Sequence, residues 1–143
     1  MSFIEEKGNL FDLDNSWCFA HCVGSDFIMG AGIAVLFRKK FGNDEFLLEN
    51  SKGVDTALLL EHKQSGYNIF YLITKKYSKY TKPNYDNIRE CLKDMFLQAK
   101  NKGIYKIAMP RIGCGMDGLK WDIVKQIIME LKPNNISICI KFL

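Results

Sequence analysis

The chain has 143 residues, of which 48% are apolar, and its formal net charge is +4. This length favours a single domain over residues 1–143 with one substantial core, and the composition argues against disorder. The charge is too small to indicate nucleic-acid binding by itself, although it suits an anionic ligand such as a phosphate ester.

The five cysteines form an odd set without a Cys-x-x-Cys pair, and the chain has only two histidines, His21 and His62. These counts argue against a disulfide framework and against a zinc site. The first residues lack the basic-then-apolar layout of a signal peptide, and no apolar run is long enough to span a bilayer. We expect a cytoplasmic protein without a cofactor, a metal or a membrane partner, and we take it to be a monomer.

Strand-like and helix-like segments alternate along the chain. In chain order, the pattern predicts a strand over 17–22, a helix over 31–41, strands over 57–60 and 69–73, a helix over 85–102, a strand over 104–109, a helix over 121–131 and a last strand over 136–142. Asn84 can cap the helix over 85–102, and Gly103 can end it. Strands that alternate with helices predict an α/β fold with a layered, largely parallel sheet.

Two glycine-rich loops, at residues 29–34 and 111–118, each follow strand-like sequence and precede a predicted helix. Glycines let backbone N–H groups approach a ligand closely, and helix N-termini attract anions. A diphosphate held between the two loops would explain both of them. Tight turns and helix packing remain the alternative for either loop alone.

The second loop spells Gly-x-Gly-x-x-Gly, but a Rossmann dehydrogenase is a poor match. That fingerprint belongs near the start of a βαβ unit and needs an acidic residue at the end of the next strand, whereas 136–143 contains no acid. The chain also lacks a Walker A sequence, so an NTPase is unsupported. Cys114 could be a phosphatase-like nucleophile, but the loop lacks the downstream arginine, so we assign this thiol a packing role.

Three segments together indicate a family. Residues 20–37 read AHCVGSDFIMGAGIAVLF, residues 71–76 read YLITKK, and residues 109–118 read MPRIGCGMDG. They resemble the terminal ADP-ribose protein glycohydrolase branch of the macrodomain superfamily, the ALC1-like macrodomains, and the similarity runs nearly end to end. The resemblance implies a three-layer α/β/α sandwich around a mixed, largely parallel sheet. It also implies an enzyme that releases mono-ADP-ribose from glutamate or aspartate esters on proteins through a lysyl–ribose intermediate.

The resemblance places the family's catalytic lysine on Lys75 and its catalytic aspartate on Asp117. Lys75 would attack the distal ribose, and Asp117 would move protons and activate water. The other expected ADP-ribose contacts are Asn9, Leu10, His21, Gly30, Ala31, Gly32, Ile33, Ala34, Arg111, Ile112, Gly113, Cys114, Gly115, Met116 and Leu143. From the residues alone, Lys75 could instead be a solvated strand-end lysine, and Asp117 could cap the helix at Trp121.

Two features leave choices open. Lys76 neighbours Lys75, and strand neighbours face opposite sides, so only one of them can face the cleft; the motif favours Lys75. The family usually has Lys-Gly-Asp-Leu near its start, with the aspartate accepting a bond from adenine, whereas Asn9 stands in that place here. An asparagine oxygen can still accept this bond without charge, so we predict a weaker adenine contact. Phe142 and Leu143 could pack on adenine or simply end a core strand.

Two other functions compete with protein-ester hydrolysis. The first is hydrolysis of ADP-ribosylated nucleic-acid bases or of O-acetyl-ADP-ribose in the same cleft. The run 75–82 mixes four lysines with two tyrosines and could contact a nucleic-acid backbone and stack a base, although such runs are usually solvated loops. The second is a reader that binds ADP-ribose without turnover. The presence of both Lys75 and Asp117 argues against a reader, which needs neither.

Overall fold

The computed structural model describes residues 2–143. Its strands are β1 (Phe3–Lys7), β2 (Cys18–Gly24), β3 (Thr56–His62), β4 (Tyr67–Lys75), β5 (Lys106–Met109) and β6 (Ser137–Phe142). Its helices are α1 (Ile33–Phe41), α2 (Asp44–Asn50), α3 (Tyr85–Lys102) and α4 (Trp121–Leu131), with a short 3-10 helix over Leu10–Asp12.

The strands of the described chain form one sheet in the order β1-β6-β5-β2-β4-β3. Neighbouring strands are parallel except for β3 and β4, which pair in antiparallel fashion. A short turn through Ser65 and Gly66 joins these two strands, and strands joined by a short turn must run in opposite directions. The prediction of a mixed, largely parallel sheet is therefore confirmed. The carboxyl ends of the neighbours β5, β2 and β4 meet at one edge, where α/β sheets place their ligands.

Helices cover both faces of the sheet. One core cluster joins the sheet to α3 and α4, and a second joins it to α1, α2 and the 3-10 helix. Because both faces are covered, residues 69–74 of β4 are all buried, which is the continuous apolar pattern of a sandwiched strand. These three layers are the expected α/β/α sandwich.

The two longest helices, α3 and α4, have the predicted bounds, and the end signals of α3 are strong. Asn84 accepts a hydrogen bond from the Asn87 N–H, and the Asn87 side chain accepts one from the Asn84 N–H, which completes a capping box. Gly103 ends α3 with φ of 69°, a left-handed conformation that glycine adopts without steric cost. The apolar faces of α3 and α4 both pack into the same core cluster.

Two elements, β1 and α2, were not predicted. β1 alternates partly buried and exposed residues over only five positions, and its partner β6 lies at the other end of the sequence. α2 buries only Leu47 fully, so it has no helical stripe to detect. In addition, α1 begins at Ile33 rather than at residue 31, because Gly32 precedes it as a non-helical N-cap.

Three further observations concern membrane spans, cysteine oxidation and metal ligands. Within residues 2–143, no helix combines the length and apolarity needed to cross a membrane. The five cysteines are free thiols. The same residues contain no group of three or more His, Cys, Asp or Glu side chains placed to hold a metal ion.

Candidate active site

A cavity of about 630 Å³ opens at the carboxyl edge of the sheet, above the neighbouring strands β5, β2 and β4. Its wall combines the end of β2, the first glycine loop with the start of α1, the segment after β4 and the second glycine loop. The lining residues are 21–24, 28–34, 75, 78–82, 110–113 and 115–117. Both its volume and its position at the strand ends are typical of small-molecule sites in α/β proteins.

Lys75 and Asp117 form an ion pair in the wall of this cavity, with Lys75 Nζ 2.6 Å from Asp117 Oδ1. Their side chains are 14% and 15% exposed, so both charges are largely withdrawn from solvent. Lys75 is the last residue of β4, and Asp117 lies in the loop after β5, so the sheet brings them together. A solvated Lys75 and a helix-capping Asp117 are both wrong alternatives, since the N-cap of α4 is Lys120.

Lys76 faces away from this pair. It is exposed, and its Nζ lies 5.4 Å from the centre of the Tyr77 ring, in a cation–π contact. Lys76 is also absent from the cavity lining. The alternation of strand neighbours has therefore placed Lys75, and not Lys76, in the cavity.

The first glycine loop begins with strained backbone. Phe27 and Met29 have positive φ of 52° and 48°, which side chains other than glycine rarely adopt. Ile28 between them is held from two sides: its N–H donates to Asp26 Oδ1 at 3.3 Å, and its carbonyl accepts from Arg38 Nη1 at 3.2 Å. Strain that the surroundings fix in this way is found preferentially at ligand-binding and active sites.

The start of α1 lies in the same wall. Gly32 is its N-cap, and no side chain caps the first turn. Uncapped N–H groups and the positive end of the helix dipole suit a phosphate group, as predicted for this loop. By contrast, α4 begins at Trp121, beyond the lining residues, so the second loop offers its own N–H groups rather than a helix N-terminus.

Two glycines of the second loop have different reasons to be glycine. A methyl group at Gly113 would lie 3.0 Å from Leu119 Cδ1 and 3.3 Å from Ile88 Cδ1, and φ there is +72°. A methyl group at Gly115 would meet nothing within 4 Å, and its φ lies outside the left-handed region. Packing and turn geometry therefore require Gly113, whereas Gly115 leaves open space in which a ligand could approach the backbone.

Cys114, between these glycines, lies outside the cavity lining. Its thiol donates to the carbonyl of Ile112 at 3.2 Å, and burial raises its pKa to about 11. Such a thiol is protonated at neutral pH and is a poor nucleophile. The structure thus favours the packing role of Cys114 over a phosphatase-like one.

His21 forms part of the inner wall of the cavity and is only 1% exposed. Its ring stacks on Phe37, with 3.8 Å between the centroids and 9° between the planes. Within the described chain, neither ring nitrogen has a hydrogen-bond partner. Burial lowers the pKa of His21 to about 3, because a charged imidazole would lose its hydration there. His21 is therefore neutral at physiological pH.

Besides Cys114, three further expected ADP-ribose contacts lie outside the lining. Asn9 Oδ1 accepts a hydrogen bond from the Phe11 N–H at 3.0 Å, and Asn9 thereby caps the 3-10 helix. Leu10 is buried in the core cluster of α1, and Leu143 is 94% exposed. With Cys114, these are the residues that the structure does not bring to the cavity, whereas the other expected contacts line it.

The segment after β4 belongs to the site but was not predicted as a wall. Ser78 donates from its N–H to Asp26 Oδ2 at 3.0 Å and from its hydroxyl to Asp26 Oδ1. Further along, Lys82 Nζ donates to the carbonyl of Met116 at 2.5 Å, and Met116 is the residue before Asp117. These contacts fasten the segment to both glycine loops. The lysine–tyrosine run marked this segment in the sequence, but its anchoring partners carried no recognisable pattern.

Comparisons of this chain with a family model, with curated proteins and with solved structures agree with one another. Residues 20–128 match the Macro domain model. The chain is 44% identical over 126 residues to ADP-ribose glycohydrolase OARD1 of Homo sapiens, which covers 87% of this chain and 80% of that protein. The solved macrodomain of Thermus aquaticus DarG has a TM-score of 0.85 at 22% identity, over 99% of this chain and 98% of that one. The chain belongs to the macrodomain family.

A further solved structure, Thermosipho africanus DarTG in complex with ADP-ribose, has a TM-score of 0.86 at 18% identity. The match covers 99% of this chain and 42% of that chain. At this identity, the likeness concerns the fold.

Proposed function

We propose that this macrodomain is an ADP-ribosyl hydrolase of the terminal ADP-ribose protein glycohydrolase branch, which releases mono-ADP-ribose from glutamate and aspartate esters on proteins. The observation that carries the proposal is the Lys75–Asp117 pair, 2.6 Å apart and largely buried in the cavity wall. The 44% identity to a protein named ADP-ribose glycohydrolase supports the activity. The ADP-ribose complex of a protein with the same fold supports the ligand.

The cavity offers features suited to the diphosphate and the distal ribose of ADP-ribose. The glycine loops present backbone N–H groups and the N-terminus of α1, which suit the diphosphate. The ion pair stands beside these loops, where the distal ribose and its ester would lie. Neutral His21 adds an unpaired ring nitrogen to the inner wall, which suits a ribose hydroxyl.

The first chemical step is attack by Lys75. Its ammonium passes a proton to Asp117 along their hydrogen bond, and the neutral amine then bonds to C1 of the distal ribose. The bond between C1 and the ester oxygen breaks as the new bond forms, and the acceptor leaves as a free carboxylate. The ribose ring oxygen assists, because it stabilises the positive charge that develops on C1.

The second step returns the enzyme to its starting state. The ring oxygen leaves C1 and takes the proton from Asp117, while the lysine nitrogen releases one of its two protons to solvent, which produces a protonated Schiff base on Lys75. Asp117, again a carboxylate, removes a proton from water as that water attacks C1. The lysine nitrogen takes this proton and the proton of the new hydroxyl and departs as the ammonium, which leaves an open-chain aldehyde whose ring closure completes free ADP-ribose. No step in this sequence needs a metal ion.

The alternatives depend on other features of the same cavity. A reader has no use for a buried pair of this kind, since isolating two charges from water costs free energy that binding alone does not require. Hydrolysis of ADP-ribosylated nucleic-acid bases is favoured by one observation: Tyr80, 81% exposed, stands with Lys79 and Lys82 at the cavity wall. O-acetyl-ADP-ribose would use the same ion pair.

The test is release of ADP-ribose from a protein carrying glutamate-linked mono-ADP-ribose. Wild type, Lys75→Ala and the matched control Lys76→Ala are compared, and borohydride is added to trap a Schiff base. We expect release by wild type and Lys76→Ala, loss of release in Lys75→Ala, and a trapped species of enzyme plus ADP-ribose. Binding of ADP-ribose to Lys75→Ala, measured by calorimetry, shows that this variant is folded.

Two outcomes would overturn the proposal in different ways. If wild type binds ADP-ribose but releases none from the ester, ADP-ribosylated nucleic acid and O-acetyl-ADP-ribose become the substrates to try, and a reader follows if both are untouched. If Lys75→Ala keeps full activity, Lys75 is not the nucleophile.

We also propose that the protein is a monomer in a reducing cytoplasm, where free thiols such as its five cysteines persist.

A further inference from the structure

Glu5, on the edge strand β1, binds three donors from distant parts of the chain. Its Oε2 accepts from Arg111 Nη2 at 3.0 Å and from Trp121 Nε1 at 2.7 Å, and its Oε1 lies 3.0 Å from Lys125 Nζ. The Glu5 side chain is only 19% exposed. One carboxylate thus ties β1 to the second glycine loop and to the first two turns of α4.

Arg111 is the partner that reaches the cavity, since it is one of the lining residues. Its guanidinium carbon lies 4.0 Å from the centre of the Phe142 ring, so the planar group rests on the last residue of β6. A guanidinium has five N–H donors, and only one edge of it is used by Glu5. The stack and the ion pair together fix one rotamer of a long side chain while leaving donors free.

Glu5 holds its charge at this position. Burial acts to raise the pKa of its carboxyl, but the hydrogen bonds from Lys125, Arg111 and Trp121 outweigh burial and hold that pKa below its ordinary value. Glu5 is therefore ionised at neutral pH. Glu5 does not line the cavity, and Arg111 is the one of its three partners that does.

This arrangement lies away from the reacting pair. Arg111 packs on β6, whereas Lys75 ends β4, and these strands are separated by β5 and β2. Three strand spacings correspond to roughly 14 Å. A change at Glu5 should therefore alter ligand binding without altering the chemistry at Lys75.

We propose that Glu5 is a positioning residue for ADP-ribose binding, which holds the Arg111 guanidinium against Phe142 so that its free donors point to the ligand. The inference rests on the proposed function, because ADP-ribose is the ligand. Without Glu5, Arg111 would sample many rotamers, and binding would have to order it.

The chain offers a matched control at the next residue. Glu6 also lies on β1 but projects to the opposite face of the sheet, where its Oε1 lies 2.6 Å from Lys141 Nζ. Glu5→Gln and Glu6→Gln each remove one negative charge from the same strand. A general effect of net charge would therefore appear equally in both variants, whereas a positioning effect appears only in Glu5→Gln.

The experiment measures the Kd of ADP-ribose by calorimetry, together with KM and kcat for ester hydrolysis, in wild type and in these two variants. We expect Glu5→Gln to raise Kd and KM about five- to tenfold and to leave kcat within about twofold, since one long side chain must then be ordered on binding. Glu6→Gln should match wild type. Equal Kd values for wild type and Glu5→Gln overturn the inference, as does a loss confined to kcat.

A double variant separates positioning from general stability. In an Arg111→Met background, Glu5→Gln should cause no further rise in Kd, because the group it positions is already gone. An additive rise would show that Glu5 acts otherwise, and the inference would fail. If wild type binds ADP-ribose but hydrolyses no ester, the catalytic proposal fails while the Kd comparison still decides this one. If wild type does not bind ADP-ribose, both fail.

Discussion

The two ends of the cavity are built in different ways. At the end of β4, the reacting pair is a short, largely buried contact between two residues. At the β6 end, the wall is a half-exposed guanidinium held by a ring and a carboxylate, and Asn9 and Leu143 lie outside the lining. The pair at the β4 end is thus fixed by a strand end inside the sheet. At the other end, the cavity wall depends on one loop residue, Arg111, which residues of β1 and β6 hold in place.

The largest expected effect is at the β4 end. Asp117→Asn keeps the shape of the side chain but removes its ability to accept a proton, so kcat should fall by about 10²–10⁴-fold. ADP-ribose affinity should change little. The control is Asp122→Asn, an exposed acid in the first turn of α4. Rapid-quench measurement of ADP-ribose release checks this, and an unchanged kcat would remove Asp117 from the mechanism.

The second glycine loop connects the two ends of the cavity, and two of its glycines should respond differently to substitution by alanine. Gly113→Ala should destabilise the protein by about 1–3 kcal/mol, because the new methyl group strains the backbone and crowds Leu119 and Ile88. Gly115→Ala should leave the free energy of unfolding nearly unchanged but weaken ADP-ribose binding. Urea unfolding and calorimetry together test the pair. A Gly115→Ala protein that binds normally would mean that the ligand does not approach that backbone.

His21 lies between the two ends, and its effect depends on pH. Its pKa is about 3 in the folded state, below the ordinary value near 6.5, so the unfolded state binds more protons at acid pH. Its contribution to stability is therefore complete above pH 6.5 and is lost as pH falls toward 3. Between pH 7 and pH 5 the free energy of unfolding should drop by about 2 kcal/mol from this group.

Denaturant titrations of wild type and His21→Phe at the two pH values isolate this contribution. The variant should lack about 2 kcal/mol of the wild-type decrease, since phenylalanine can stack on Phe37 but cannot bind a proton. His62→Gln, at the last residue of β3, serves as a control that removes the other histidine while keeping His21. Equal slopes for wild type and His21→Phe would show that His21 is hydrated in solution.

The smallest effect is expected at the β6 end. Asn9 lies outside the cavity lining, so it can contact adenine only where the ligand extends beyond the cavity. Through that contact Asn9→Asp should tighten ADP-ribose binding by about threefold, because a carboxylate accepts a hydrogen bond from an amino group more strongly than an amide oxygen does. An aspartate can also keep the cap on the Phe11 N–H. Calorimetry measures the Kd of ADP-ribose for wild type and Asn9→Asp, and weaker binding by the variant would contradict the predicted adenine contact.

Much of the fold was predictable because its signals are local. The caps of α3, the apolar run of β4 and the alternation of strands with helices each follow from neighbouring residues. The antiparallel pairing of β3 and β4 is the exception, and it follows from the short turn between them. β1 and α2 were missed because each is short and is held by contacts with distant elements rather than by its own pattern.

The site was predictable to a similar extent. The family motifs nominated Lys75 and Asp117, and the structure brings them together across 42 positions of sequence. The motifs could not indicate Glu5, Asp26 or Ser78, because their roles arise from side chains that meet only after folding. The placement of Asn9 and Leu143 likewise depends on how β6 ends, which no local pattern specifies.

The order of the strands has a consequence for how the protein is made. β1 precedes the other five strands of the sheet in the chain, but its neighbour in the sheet is β6, which follows them. While the chain is still being made, residues 3–7 have no strand to pair with, and β5, β2 and β4 can associate without them. β1 can therefore take its place in the sheet only after β6 has been synthesised, whatever the order in which the other strands pair.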